Sequence, residues 1–267
     1  ANSGGFSWGY ADRELMQRAI QIEAGNLQPH ITYIESISMH SPYTIPNQQE
    51  YLSLFEAHMN KLGFDQATKE EHRKYKNVYS TILYTDAALQ YFFTEYSKLP
   101  LYKNTIFLIT GDHRLPEIPM STNIHRHDVP LIIFSPLLKR TATFKSISSH
   151  LDITPTLLSF FKYNYKFKTP ANAAWVGSGI DTSRILRNVH KYPMKQTTTD
   201  LIDFISGLFY LNQDQVYAVS DNLDIAPMDD EVKLNELRAE FNQYKTSNQK
   251  FIHGRKLIPD SLYTNFK

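Results

Sequence analysis

No cysteine occurs among the 267 residues, which excludes disulfides, thiolate metal ligation and a cysteine nucleophile within the chain. The absence is compatible with an oxidising compartment. An excess of charge is missing as well: 28 Lys and Arg against 27 Asp and Glu leave a formal charge of +1, so no bulk attraction favours nucleic acid and any anion specificity has to be local. The strongest apolar runs, 105–110 and 129–134, are far too short to cross a bilayer. Residues 1–10 lack the charged start and apolar stretch of a secretion signal. If the parent protein is exported or anchored, the signal lies outside this segment. Internal repeats and low-complexity tracts are also absent.

What the chain does have is 42% apolar and 13% aromatic residues, enough to bury a substantial core. The apolar spacing predicts a helix from Asp12 to Ala24, with Asp12 as cap and Gly25 as stop. A β-branched and aromatic run, His30 to Ser38, predicts a strand ending at Ser41-Pro42. A long helix is expected over Thr68 to Lys98, then apolar strands over Asn104 to Thr110 and Val129 to Phe134. Another helix opens at Asp152, with Pro155 tolerated in its first turn. This alternation predicts an α/β fold with a doubly wound, mainly parallel sheet flanked by helices. Residues 1–165 are expected to form the carboxy-terminal part of one such domain, and 166–267 its closing elements and tail. Helices over Thr199 to Phe209 and Glu231 to Tyr244, a strand over Gln215 to Ser220 and a docked or partly mobile tail over Ser247 to Lys267 complete the reading.

Ligands gather beyond the carboxyl ends of strands in open α/β sheets. That rule selects His40 after the first predicted strand and Asp112-His113 after the second. An adjacent carboxylate and imidazole, freed by Gly111, can offer oxygen and nitrogen to one divalent ion, although the dipeptide alone also fits an ordinary polar turn. His125-Arg126-His127-Asp128 precedes the third strand and enters it from the opposite end, unless that strand is antiparallel. In an extended segment His125 and His127 would point the same way, with Arg114 and Arg126 adding positive charge.

Four segments in order then carry a resemblance. Asn104 to His113 resembles the strand and Asp-His metal motif of sulfatase-like phosphotransferases, and Tyr84 to Leu89 resembles the preceding helix. Val129-Pro130-Leu131-Ile132-Ile133 and Asp152-Ile153-Thr154-Pro155-Thr156 resemble the two later segments. The matching stretch covers about Trp8 to Phe161. The chain is thus similar to the alkaline phosphatase and sulfatase superfamily, in the branch of lipoteichoic acid synthases and phosphoethanolamine transferases.

The resemblance implies an alkaline phosphatase-like fold, a divalent metal (manganese or zinc) held partly by Asp112 and His113, and substrate contacts from His40 and His127; His125 and Arg114 are further candidate substrate contacts on spacing and charge, Arg114 departing from the glycine or aromatic commonly seen after Asp-His. Asp-His, where sulfatases commonly present Asp-Asn, points to phosphate esters, because calcium prefers all-oxygen coordination and imidazole suits zinc or manganese. Met39 replaces the usual Asn before His40, and Asp128 stands where the family places a histidine. The family's threonine nucleophile and first acidic ligand are expected upstream, so the segment by itself is expected to be inactive. The implied parent is a membrane-anchored, extracytoplasmic enzyme moving a phospho-alcohol head group from a phospholipid to an envelope acceptor. A sulfatase or phosphodiesterase of the same superfamily, or a non-catalytic anion-binding domain, are the alternatives.

Overall fold

The computed structural model describes residues 9–169, 175–195 and 200–252. Its contacts divide the chain into two compact units: residues 1–119 with 129–139, and residues 120–128 with 140–267.

In the first unit, α1 (Asp12–Ala24), α2 (Gln48–Lys61), α3 (Gln66–Arg73) and α4 (Lys76–Tyr96) precede β1 (Phe107–Thr110) and β2 (Leu131–Phe134). The helical periodicity of α4 buries Thr81, Thr85, Ala88, Phe92 and Tyr96 on one face. Phe92, Tyr96 and Ala88 join Met16 and Ala19 of α1 and Phe107 of β1 in the core. The expected long helix is broken at Lys74–Tyr75, and α2 was not anticipated.

Two further expectations are corrected. His30 to Ser38 forms no ladder among the described residues. Its β-branched side chains give an extended backbone, but Ile31 and Tyr33 lie open to solvent, and propensity without a neighbouring strand makes no sheet. The segment is pinned instead by Glu23, which is buried and meets His30 Nε2 at 2.7 Å and accepts from Thr32 Oγ1 at 2.6 Å. The second correction is strand direction: β1 and β2 are antiparallel, with Phe107 opposite Phe134 and Thr110 opposite Leu131. Ile132 and Ile133 of β2 are exposed, so the apolar run reports strand propensity and neither burial on both faces nor the direction of the partner.

The second unit contains α5 (Ile153–Tyr165), the strands β3 (Lys191–Lys195), β4 (Leu201–Ser206), β5 (Phe209–Asn212), β6 (Gln215–Val219) and β7 (Ile225–Met228), and α6 (Glu231–Ile252). The five strands form an antiparallel meander in sequence order. The predicted β6 and α6 are present; the predicted helix over Thr199 to Phe209 is the β4–β5 hairpin, with Thr199 outside the described residues. Asp203, Phe204 and Ile205 are buried in succession, so the two-residue alternation that marks a strand is hidden. Gly207, at φ +56°, makes the tight turn between the strands. One face carries Phe204, Leu211 and Val216 against Leu237 and Phe241 of α6; the other carries Ile205, Tyr210 and Val219.

Asp152 organises the entry to α5. Its fully buried carboxylate accepts from Ser149 N at 2.9 Å, Ser178 N at 3.0 Å, Gly179 N at 3.2 Å and the Tyr192 hydroxyl. At Gly177 the chain runs so close to the Leu151 carbonyl that any Cβ would collide with it. Burial pushes the Asp152 carboxyl up, but the Tyr192, Ser149 and Ser178 hydrogen bonds and the nearby His190 outweigh it and hold it below the usual range. A depressed carboxyl contributes stability that is complete above the ordinary value of 3.8 and is lost as pH falls through the folded value. Asp152→Asn is expected to cost about 3 kcal/mol in urea unfolding near neutral pH. The deficit should shrink when unfolding is repeated at about pH 3.

Candidate metal-binding site

β1 ends at Thr110, and Gly111 lets the chain turn so that Asp112 and His113 both stand exposed. Asp112 Oδ1 accepts the His113 amide at 2.9 Å, while Asp112 Oδ2 faces His113 Nε2 at 3.7 Å. His113 Nδ1 lies 2.6 Å from the Arg114 carbonyl. A carbonyl only accepts, so in the neutral ring the proton sits on Nδ1 and the Nε2 lone pair is turned toward the Asp112 carboxylate. That tautomer and a neighbouring carboxylate oxygen are what a divalent cation needs from two of its ligands. The pair fits a metal as part of a donor set, for no group of three or more His, Cys, Asp or Glu suited to a metal occurs among the described residues.

The His40 turn is built by residues that sequence reasoning missed. Asp12, expected as a helix cap, is the first residue of α1 and is buried; its Oδ1 accepts from Ile37 N at 3.1 Å and Ser38 N at 3.0 Å. Thr85 Oγ1 donates to the other oxygen at 2.7 Å, and Ser38 Oγ returns a bond to Asp12 N. His40 follows, exposed, with Nδ1 at 2.8 Å from the Ser41 carbonyl. The Ser41–Pro42 peptide is cis.

A hydrogen bond joins this turn to the loop after Asp112-His113: the Tyr43 hydroxyl donates to Glu117 Oε2. Burial, and then the Glu117 carboxylate, push the Tyr43 phenol far above its usual range, so it remains a donor. Within the same loop the Arg114 guanidinium donates to the Ile118 carbonyl, which uses one of its edges to close the turn. His40, Asp112, His113 and Arg114 thus belong to two loops tied together within the first unit.

His125 and His127 belong to the second unit, in a 3₁₀ turn over Asn123–His127. The extended geometry that would have aligned them is not adopted, and at three residues per turn positions two apart face different ways. His125 Nδ1 lies 3.9 Å from Asp128 Oδ2, and its Nε2 is buried without a hydrogen-bond partner. His127 Nε2 pairs with Asp203 Oδ2 at 2.9 Å. Asp203 was invisible in the sequence because it sits in the strand misread as a helix.

Thr110 at the end of β1 lies opposite Leu131 at the start of β2, so the chain enters β2 at the same sheet end that carries Gly111 and Asp112.

Among known proteins, a sequence model of the sulfatase family matches residues 1–163, more than half of the chain. The chain belongs to the sulfatase family. It is 22% identical over 169 residues to the lipoteichoic acid synthase-like protein YvgJ of Bacillus subtilis (strain 168), covering 57% of this chain and 25% of that protein. Its fold resembles the crystal structure of the lipoteichoic acid synthase LtaP from Listeria monocytogenes, with a TM-score of 0.60 at 16% identity over 93% of this chain and 61% of that one. The chain therefore spans a quarter of the length of the first relative and under two thirds of the second. The mixed α/β class and the sulfatase-like fold stand as expected, with the strand directions corrected above. Members of the family generally use a divalent metal.

Removing the Tyr43 hydroxyl tests the tie between the two loops. In the intact protein, Tyr43→Phe is expected to raise KM about fivefold with little change in melting temperature, since one net hydrogen bond is worth about 1 kcal/mol. An unchanged KM shows that the loops hold their places without it.

Proposed function

We propose that this sulfatase-family chain is part of a metal-dependent enzyme that moves a phospho-alcohol head group from a lipid to an envelope acceptor. The observation that carries the proposal is the Asp112–His113 pair, with one carboxylate oxygen and one imidazole lone pair 3.7 Å apart. A nitrogen ligand favours zinc or manganese over calcium, and with it phosphate-ester rather than sulfate-ester chemistry. The likeness to lipoteichoic acid synthases supports the same branch.

In this reading Asp112 and His113 hold manganese or zinc together with ligands from outside these 267 residues. The bound ion would polarise the phosphoryl group and favour ionisation of an attacking hydroxyl. His40 and Arg114 bind and orient the anionic phosphate, neutralising charge that builds on it during transfer. His127 is assigned a further contact, since phosphoethanolamine transferases place a histidine just before the corresponding Val-Pro strand. His125 is assigned to the same anion. No nucleophile is assigned within the chain; a threonine elsewhere in the protein fills that role. Residues 166–267 close the same domain, which accords with a fold likeness that extends over 93% of the chain.

The site acts outside the cytoplasm, in a protein held at the membrane by other segments. Among the described residues no helix is long and apolar enough to cross a membrane.

Turnover of a phosphodiester by the intact protein tests this reading. Activity is expected to vanish with a chelator, to return with manganese or zinc, and to fall at least about 100-fold in Asp112→Asn and His113→Ala. The 267-residue chain alone should show no turnover above a metal-only blank. Hydrolysis of a sulfate ester in preference to the phosphodiester contradicts the proposal, as does full activity in Asp112→Asn.

A further inference from the structure

The turn over Asn123–His127 is fastened to the five-stranded sheet by two unlike contacts. Ile124 is buried among Tyr192, Ile205, Tyr210 and Val219. Three residues on, His127 Nε2 lies 2.9 Å from Oδ2 of Asp203, a carboxylate with no solvent exposure. Asn212, the residue opposite Asp203 in β5, donates from Nδ2 to the other carboxylate oxygen at 2.5 Å. Beside them the Tyr210 phenol is pushed far above its ordinary range by burial and then by the Asp203 charge, so it stays protonated.

A buried carboxylate is an expensive way to hold a turn that Ile124 already anchors, and an apolar residue on that face of β4 would pack at no such cost. What Asp203 does that an apolar residue cannot is orient one ring. Carboxylate oxygens only accept, so His127 Nε2 carries a proton, and Nδ1 is the nitrogen left to meet anything else. The His127 side chain keeps 18% of its surface exposed, enough for contact at one edge. A buried carboxylate behind a partly exposed imidazole is the usual means of fixing a histidine that meets a metal or a reacting group.

We propose that Asp203 is a positioning residue for His127, fixing its tautomer and ring plane so that Nδ1 is the atom presented to the phosphate ester. The inference rests on the reading of His127 as a phosphate contact. It gives the region after residue 165 a part in the chemistry as well as in closing the fold. When Nδ1 also carries a proton, the ring becomes a cation neutralised from behind by Asp203 and a donor toward an anionic ester oxygen.

Imidazole ¹⁵N NMR of the intact wild-type protein, at a pH where the ring is neutral, should show the His127 proton on Nε2; a proton on Nδ1 overturns the proposal whatever the variants do. In Asp203→Asn the tautomers should mix. Turnover of bis-p-nitrophenyl phosphate with manganese should then fall about 10- to 100-fold in kcat, with a much smaller change in KM, and Asp203→Glu should recover part of it. Loss of melting temperature with kcat retained marks Asp203 as purely structural and overturns the inference. If His127→Ala is fully active while Asp112→Asn is dead, the inference falls and the phosphate-ester reading survives. If the wild-type protein shows no metal-dependent diester turnover, both fall.

Discussion

For two consecutive residues to grip one cation, the backbone between them has to turn and the imidazole has to be held so that one nitrogen faces the carboxylate. β1 stops at Thr110, Gly111 permits the turn, and the Arg114 carbonyl takes His113 Nδ1. Nε2 is then the nitrogen turned toward Asp112, at 3.7 Å. The rest of the first unit serves this placement. α1 and α4 bury Phe107 at the base of the strand, and the antiparallel partner β2 begins at the end at which the pair stands and runs back toward Phe107.

Four irregular segments of this protein are fastened by buried carboxylates. Asp12 holds the turn before His40, Glu23 holds the extended segment at His30 and Thr32, Asp152 holds the entry to α5, and Asp203 holds His127. The physical logic is common to all four. A backbone leaving regular structure has amide donors to satisfy, and a carboxylate accepts several of them, or an imidazole, in one rigid geometry. The cost of burying each charge is offset only while the donors stay in place, so each also resists alternative loop conformations.

The candidate pair Asp112-His113 and the class of fold were legible in the sequence because both are local. An apolar strand followed by Gly-Asp-His can be read directly, as can the periodicity of α4. Strand direction was not legible, since an apolar run reports strand propensity and not the direction of the strand it pairs with. The run His30 to Ser38 misled because β-branching reports an extended backbone and not a partner to pair with. The β4–β5 hairpin was mistaken for a helix because Asp203, Phe204 and Ile205 are all buried, which erased the alternation, although Gly207 marked the turn. Asp203 was lost with it. His40 was legible but its support was not, for Asp12, Ser38 and Thr85 meet only after α1 packs on α4.

Anomalous diffraction from crystals of the intact protein grown with manganese tests the central claim most directly. The account predicts a single strong peak within about 2.0–2.3 Å of both an Asp112 carboxylate oxygen and His113 Nε2, completed by ligands from outside this chain. A manganese site elsewhere, with Asp112 and His113 left facing solvent, contradicts it.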